Sequence, residues 1–218
     1  WAKRGFKPVF KSVTDDEAFL AQGDLVVSEN SPTVKEILDF MMLWSDNLLA
    51  DRLAGLAARA AGYPLNIKGI DTIFRTLLAQ FEIDDSKLVV ADASGLSKKN
   101  KITAKLMGEL LYKIRKDERY ALLYESLPVG GVSGTLQNRF TTTAPSAVGL
   151  VRAKTGTLNG TATLAGYVQS TDREYVFVTL ADDIAKGNAA LNKARAAIDR
   201  VLGRIAAPNI PAEISPAP

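Results

Sequence analysis

Residues 150–181 read LVRAKTGTLNGTATLAGYVQSTDREYVFVTLA, and this stretch decides the fold. Two runs rich in β-branched and aromatic residues, 161–169 and 174–181, flank a polar connection from Gln169 to Glu174. Runs of this kind joined by a short polar link predict an antiparallel hairpin. Leu150-Val151 leads into Lys154-Thr155-Gly156-Thr157, which makes 150–157 a third, adjacent strand. Downstream, Leu191, Ala194, Ile198, Val201 and Leu202 recur at helical spacing. They predict a helix over 187–204 packed across one face of the sheet. The closing segment from Ala206 to Pro218 carries four prolines and is expected to be extended or disordered.

Upstream the pattern is mostly helical. Leu25-Val26-Val27 reads as a short strand entering a turn. Thr33 then offers an N-cap, with Glu36 three positions on to close a capping box. Val34, Ile37, Leu38, Met41 and Met42 follow at helical spacing, and the pattern pauses at Trp44-Ser45-Asp46-Asn47. It resumes through Leu49, Leu53, Leu56, Ala57 and Ala60 and stops at Gly62-Tyr63-Pro64. A further helix is predicted over 68–81, then a short buried strand at 88–91, and another helix from Thr103 carrying Leu106, Leu110, Leu111 and Ile114. Residues 128–149, rich in Gly, Ser, Thr and Pro, read as a long loop of the functional kind. The fold class is α/β in the α+β sense, an antiparallel sheet layered with helices.

Composition narrows the chemistry. The 218 residues include no cysteine and no histidine. Disulfides, thiol nucleophiles, Cys/His zinc sites and every histidine-based catalytic triad are excluded. Acid–base chemistry near neutrality must therefore use Lys, Asp, Glu, Tyr or a hydroxyl. The net charge of +3 is mild, and the one dense basic run, Lys98-Lys99-Asn100-Lys101, has no interleaved aromatics. It reads as a solvated turn, not as a nucleic-acid surface. No apolar run approaches the roughly 20 residues of a membrane-spanning helix.

Two short motifs carry chemistry. Ser45-Asp46-Asn47 falls in the break between two helices, where each of the three residues is also a good helix cap. Lys154-Thr155-Gly156 falls on a strand bordering the sheet, where Lys can equally serve to blunt an edge. Each alone fits the structural role better. In this order, S-x-N between helices and K-T-G on a strand match two of the three signatures of penicillin-interacting serine enzymes. Leu43–Ala50, Asp92-Ala93-Ser94-Gly95-Leu96-Ser97, Pro128–Leu136 and Ala153–Leu158 follow in the same order as in one family.

Over about residues 25–205 the chain resembles the penicillin-binding D-alanyl-D-alanine carboxypeptidase/endopeptidase family whose members carry a large insertion between their first and second motifs. The resemblance implies residues 1–25 as the end of an upstream or inserted region, 26–205 as the C-terminal part of the catalytic domain, and 206–218 as a tail. It implies peptidoglycan stem peptides as substrates, β-lactams as inhibitors, no cofactor, and a periplasmic or extracellular location. Ser45 would relay a proton, Asn47 would hold the acyl-side peptide, and Lys154 would supply a fixed charge. Thr155 would bond the terminal carboxylate, and Gly156 would admit substrate backbone at the sheet edge. The N–H of Thr157 would form half of an oxyanion hole.

One motif of the family is missing. S-x-x-K supplies its acylated serine and proton-accepting lysine, yet none of the twelve serines here has Lys three positions later, nor does Thr33. The chain is expected to begin downstream of that motif, with the missing N-terminal part of the same protein supplying the nucleophile. Trp1 in place of an initiator methionine agrees. The alternatives are a non-catalytic peptide-binding module of the same fold and a serine β-lactamase. The latter needs a Glu positioned to activate water, and no Glu stands in a matching loop.

Overall fold

The computed structural model describes residues 30–208, and from Thr33 onward they pack as one unit. Among the described residues there are six α-helices, α1 (Val34–Trp44), α2 (Asn47–Ala60), α3 (Ile67–Gln80), α4 (Ala104–Arg115), α5 (Ala121–Glu125) and α6 (Asn188–Ala206). Three strands, β1 (Val151–Leu158), β2 (Thr161–Gln169) and β3 (Glu174–Ala181), lie in sheet order β1-β2-β3. The strand at 25–27, the boundary near residue 25 and residues 209–218 of the tail lie outside the described residues.

Local chemistry sets the helix ends. The Thr33 N–H donates to Glu36 Oε2 at 2.7 Å while the Glu36 N–H donates to Thr33 Oγ1 at 3.3 Å, the expected capping box. Thr103 caps α4 singly, its hydroxyl accepting from the Leu106 N–H at 3.1 Å. The sheet is fully antiparallel, with Val151 opposite Val168 and Leu158 opposite Thr161 on one side, and Ala162 opposite Ala181 on the other.

Strand alternation then divides the sheet into two faces. Val151 and Ala153 of β1 and Leu164 and Val168 of β2 are fully buried against Ile198 and Leu202 of α6. The helix therefore crosses one face, as its periodicity predicts. Its stripe is rotated from the expected one, however. Val201 is 61% exposed and Asp199 only 3% exposed. The rotation is tolerated because the Asp199 carboxylate meets Arg139 and Thr143 from the 128–149 segment. That segment is loop as predicted, with two short 3₁₀ turns, yet it is also core: Leu136, Phe140 and Ala147 are at most 1% exposed. It stays close because Gly134, at φ 53°, brings its backbone against the end of α1, where a Cβ would meet the Leu43 carbonyl at 2.5 Å.

Two sequence expectations need correction. Residues 88–91 form no buried strand; Val89 makes a single bridge to Lys101 and is 45% exposed. One bridge leaves no neighbouring ladder to bury it, and the segment is held instead by Arg75, whose Nη2 donates to the Leu88 carbonyl at 2.9 Å. On α2 the buried positions are Gly55 and Ala58, while Leu56, Ala57 and Ala60 face out. The face is set by Asp51, whose carboxylate accepts the Ala93 and Ser94 N–H groups at 2.9 and 3.0 Å. A polar contact across the fold overrides the apolar spacing.

The face of the sheet opposite α6 buries Tyr167 at 2% exposure, its hydroxyl donating to the Leu111 carbonyl at 2.8 Å. Burial pushes this phenol from 10.0 up to about 12. The buried form is neutral, so the unfolded chain loses this proton first as pH rises. The group's contribution to stability is full below pH 10.0 and disappears as pH climbs to about 12. Urea unfolding across that window is expected to show the decline, and Tyr167→Phe to flatten it. A decline equally steep in the variant would remove Tyr167 as its source.

Candidate active site

The break between α1 and α2 divides the roles within Ser45-Asp46-Asn47. Asp46 is the cap of α2, its Oδ1 accepting from the Leu49 N–H at 2.9 Å. Ser45 closes α1 in the left-handed region at φ 59° and ψ 48°, with the Asp46 N–H reaching back to the Met41 carbonyl at 3.1 Å. This conformation is uncommon for a residue with a side chain, and such outliers concentrate at functional sites. Because Asp46 does the capping, the Ser45 hydroxyl is free. It accepts a hydrogen bond from Lys154 Nζ at 2.5 Å.

Lys154 therefore does not blunt an edge. It points away from α6, is half-buried, and bonds Ser45 and the Thr155 carbonyl, the latter at 3.0 Å. Burial pulls its ammonium below the ordinary lysine range. A lysine of lowered basicity against a hydroxyl is the pairing that acyl transfer without histidine requires.

The strand edge beside it is open. The first half of β1 is covered, since Gly130 N–H donates to the Val151 carbonyl at 2.8 Å and Ala153 N–H to the Pro128 carbonyl at 3.0 Å. The same alternation aims the N–H groups of Thr155 and Thr157 at that edge, beyond the end of the covering segment. Gly156 cannot be larger, because a Cβ there would lie 2.2 Å from Thr163 Oγ1 across the pair. Thr155 Oγ1 donates to Thr135 Oγ1 at 3.0 Å, and Thr157 Oγ1 accepts from Arg195 Nη2 at 3.0 Å. Asn47 is exposed at the start of α2. All six residues singled out from the sequence, Ser45, Asn47, Lys154, Thr155, Gly156 and Thr157, line one groove of about 830 Å³.

The opposite lip is the loop after Ala91. Asp92 accepts from the Gly95 and Ser97 N–H groups at 2.7 and 2.6 Å and from Asn100 Nδ2 at 2.7 Å. Burial opposes ionisation of this carboxyl, but those hydrogen bonds outweigh it and hold Asp92 below the usual carboxylate range. With Asp51 bonding the Ala93 and Ser94 N–H groups, the loop presents Ser94, Gly95 and Leu96 to the groove as a fixed wall. Sequence reading found this loop but missed Asp51, Thr135, Arg139, Arg195 and Asp199. Nothing local marks them, since each acts on a residue distant in the chain.

Comparison with known proteins fits this geometry. The profile of the D-Ala-D-Ala carboxypeptidase 3 (S13) family matches residues 1–205. The chain belongs to that family. It is 37% identical over 184 residues to the carboxypeptidase DacB of Mycolicibacterium smegmatis, covering 83% of this chain and 39% of that protein. It is 33% identical over 173 residues to the D-alanyl-D-alanine carboxypeptidase DacB of Haemophilus influenzae, covering 77% and 35%. The crystal structure of penicillin binding protein 4 from Haemophilus influenzae superposes with a TM-score of 0.69 at 30% identity, covering 77% of this chain and 38% of that one. The family member thus spans under half the length of these relatives. Among its described residues no helix is long and apolar enough to cross a membrane, and no cluster of acidic side chains can hold a metal ion.

Proposed function

We propose that this chain forms the proton-relay and substrate-binding half of a serine-type DD-peptidase, acting on peptidoglycan stem peptides on the outer side of the cytoplasmic membrane. The observation that carries this reading is the Lys154–Ser45 hydrogen bond at the lip of an open strand edge. A stem peptide enters the groove as an added strand on β1, its backbone meeting the N–H groups of Thr155 and Thr157. Asn47 holds the acyl side, and the Thr155 hydroxyl takes the terminal carboxylate. A serine supplied by a segment outside this sequence attacks the penultimate D-Ala carbonyl. The lysine of the same segment takes its proton, which returns to the departing amine through Ser45, held in place by Lys154, and the Thr157 N–H steadies the oxyanion. Water then hydrolyses the acyl-serine.

A cavity supports a seat for that segment. Of about 650 Å³, it lies on the face of the sheet away from α6, with Met42, Leu111, Tyr124, Tyr167, Lys154 and Thr163 among its walls. An apolar helix bearing the serine fits its chemistry. The relatives' names support the substrate, and a second structure of the Haemophilus influenzae protein is described as complexed with a β-lactam. The lack of any S-x-x-K in these 218 residues favours one other reading, a peptide-binding module without catalysis.

Mass spectrometry with benzylpenicillin separates the two. The longer protein, carrying the segment upstream of Trp1, is expected to form a covalent adduct, and residues 1–218 alone to form none. An adduct on the 218-residue chain would place the nucleophile within it. No adduct on the longer protein would leave the binding module.

A further inference from the structure

Arg195 lies one helical turn before Asp199 on α6, a spacing at which an arginine and an aspartate ordinarily pair. Here they do not. Both Asp199 oxygens are taken from the other side: Oδ1 by Arg139 Nη2, Oδ2 by Arg139 Nε at 3.4 Å and Thr143 Oγ1 at 3.1 Å. Arg139 also donates to the Arg195 carbonyl at 3.3 Å, fixing that turn of α6.

The Arg195 guanidinium is left with neutral partners, Thr157 Oγ1 at 3.0 Å and Asn192 Oδ1 at 3.3 Å. Among the described residues no carboxylate lies within ion-pair distance of it. Two of its five N–H donors are thereby used and three remain.

Its position is set by strand alternation. Thr155 and Thr157 share the face of β1 that carries Ala153, the face toward α6, whereas Lys154 points to the opposite one. Thr135, Thr155, Thr157 and Arg195 therefore form a row of hydroxyls ending in a cation, linked by the 3.0 Å contacts between Thr135 and Thr155 and between Thr157 and Arg195. All four line the groove.

We propose that Arg195 is the specificity-determining cation of this site, binding with the Thr155 and Thr157 hydroxyls the free C-terminal carboxylate of the substrate and the equivalent carboxylate of a β-lactam. The inference rests on the peptidase reading above. A planar guanidinium with spare parallel donors matches a carboxylate in a way that an ammonium does not. The Thr157 hydroxyl, which accepts from Arg195, keeps its own proton to donate to the same carboxylate. The Arg139–Asp199 pair has a part in this, since it keeps Asp199 from neutralising Arg195.

The test compares acylation of the longer protein by benzylpenicillin and by its methyl ester, which lacks the negative charge. Arg195→Gln is expected to lower the ratio of the two acylation rate constants about 10–100-fold, the effect of losing a charge-assisted hydrogen bond. The ester's rate should fall far less than that of benzylpenicillin, and Arg195→Lys should restore part of the ratio. An equal loss with both compounds would mean that Arg195 only props Thr157, and would overturn the proposal. So would an unchanged ratio in both variants. If the unsubstituted protein reacts with neither compound, the peptidase reading fails first and takes this inference with it. Acylation of the unsubstituted protein with an unshifted ratio in the variants sinks Arg195 alone.

Discussion

Ser45→Ala, made in the longer protein, is expected to slow acylation by benzylpenicillin about 10²–10⁴-fold, the range for loss of a positioned proton-transfer group. The expectation follows from the 2.5 Å contact with Lys154 and from the burial that lowers that lysine's basicity. Without the hydroxyl, Lys154 keeps the Thr155 carbonyl as its hydrogen-bond acceptor, a group with no proton to relay. Ser45 also occupies a left-handed backbone position, so a structural effect must be separated from a chemical one. Ser45→Gly does this. Glycine adopts φ 59° without strain, so that variant should fold at least as well as the unsubstituted protein while reacting as slowly as the alanine variant. Rapid acylation of Ser45→Gly would remove Ser45 from the proton path.

The second large effect concerns stability. Asp199→Ala leaves Arg139, with only 13% of its side chain exposed, as an uncompensated buried cation. Breaking such a pair by removing one partner costs about 3–5 kcal/mol, a large share of the roughly 5–15 kcal/mol that holds a typical domain folded. Thr143 loses its acceptor at the same time. The loss should appear as a lower urea midpoint with little change in slope. Asp199→Ala combined with Arg139→Met should recover much of it, because a buried pair replaced by apolar groups of similar volume is often no less stable. A single variant weakened by less than about 1 kcal/mol, in the range of an exposed pair, would show that water reaches Arg139.

These two residues differ in how far the sequence reveals them. Ser45 stands in a triplet whose break in helical spacing is plain, and its three polar residues fit both capping and chemistry. The division of labour, Asp46 capping and Ser45 facing Lys154, became visible only with Lys154 in place, 109 positions away. Asp199 gave no sign at all. By spacing it sits on the polar side of α6 and Val201 on the apolar side, and the structure reverses them.

The sequence by itself determined what is decided within a few residues along the chain. Thr33 and Glu36 close a capping box, Thr103 starts α4, and alternating residues from Val151 to Ala181 set three antiparallel strands. Hydrogen bonds and side-chain periods of this kind form between near neighbours and need no knowledge of the rest. The four ordered motifs also fixed the family, because each keeps its local pattern. Only the tertiary structure decided which faces are buried and which polar groups meet. Asp51 turns α2 toward the loop at 92–97, Val89 finds one bridge instead of a ladder, and Arg139 draws Asp199 inward and leaves Arg195 to Thr157. Each of these is a polar contact between distant segments. In a buried setting an unpaired carboxylate or guanidinium costs more than an apolar side chain gains by turning inward, so the polar partners set the faces and the apolar stripes follow.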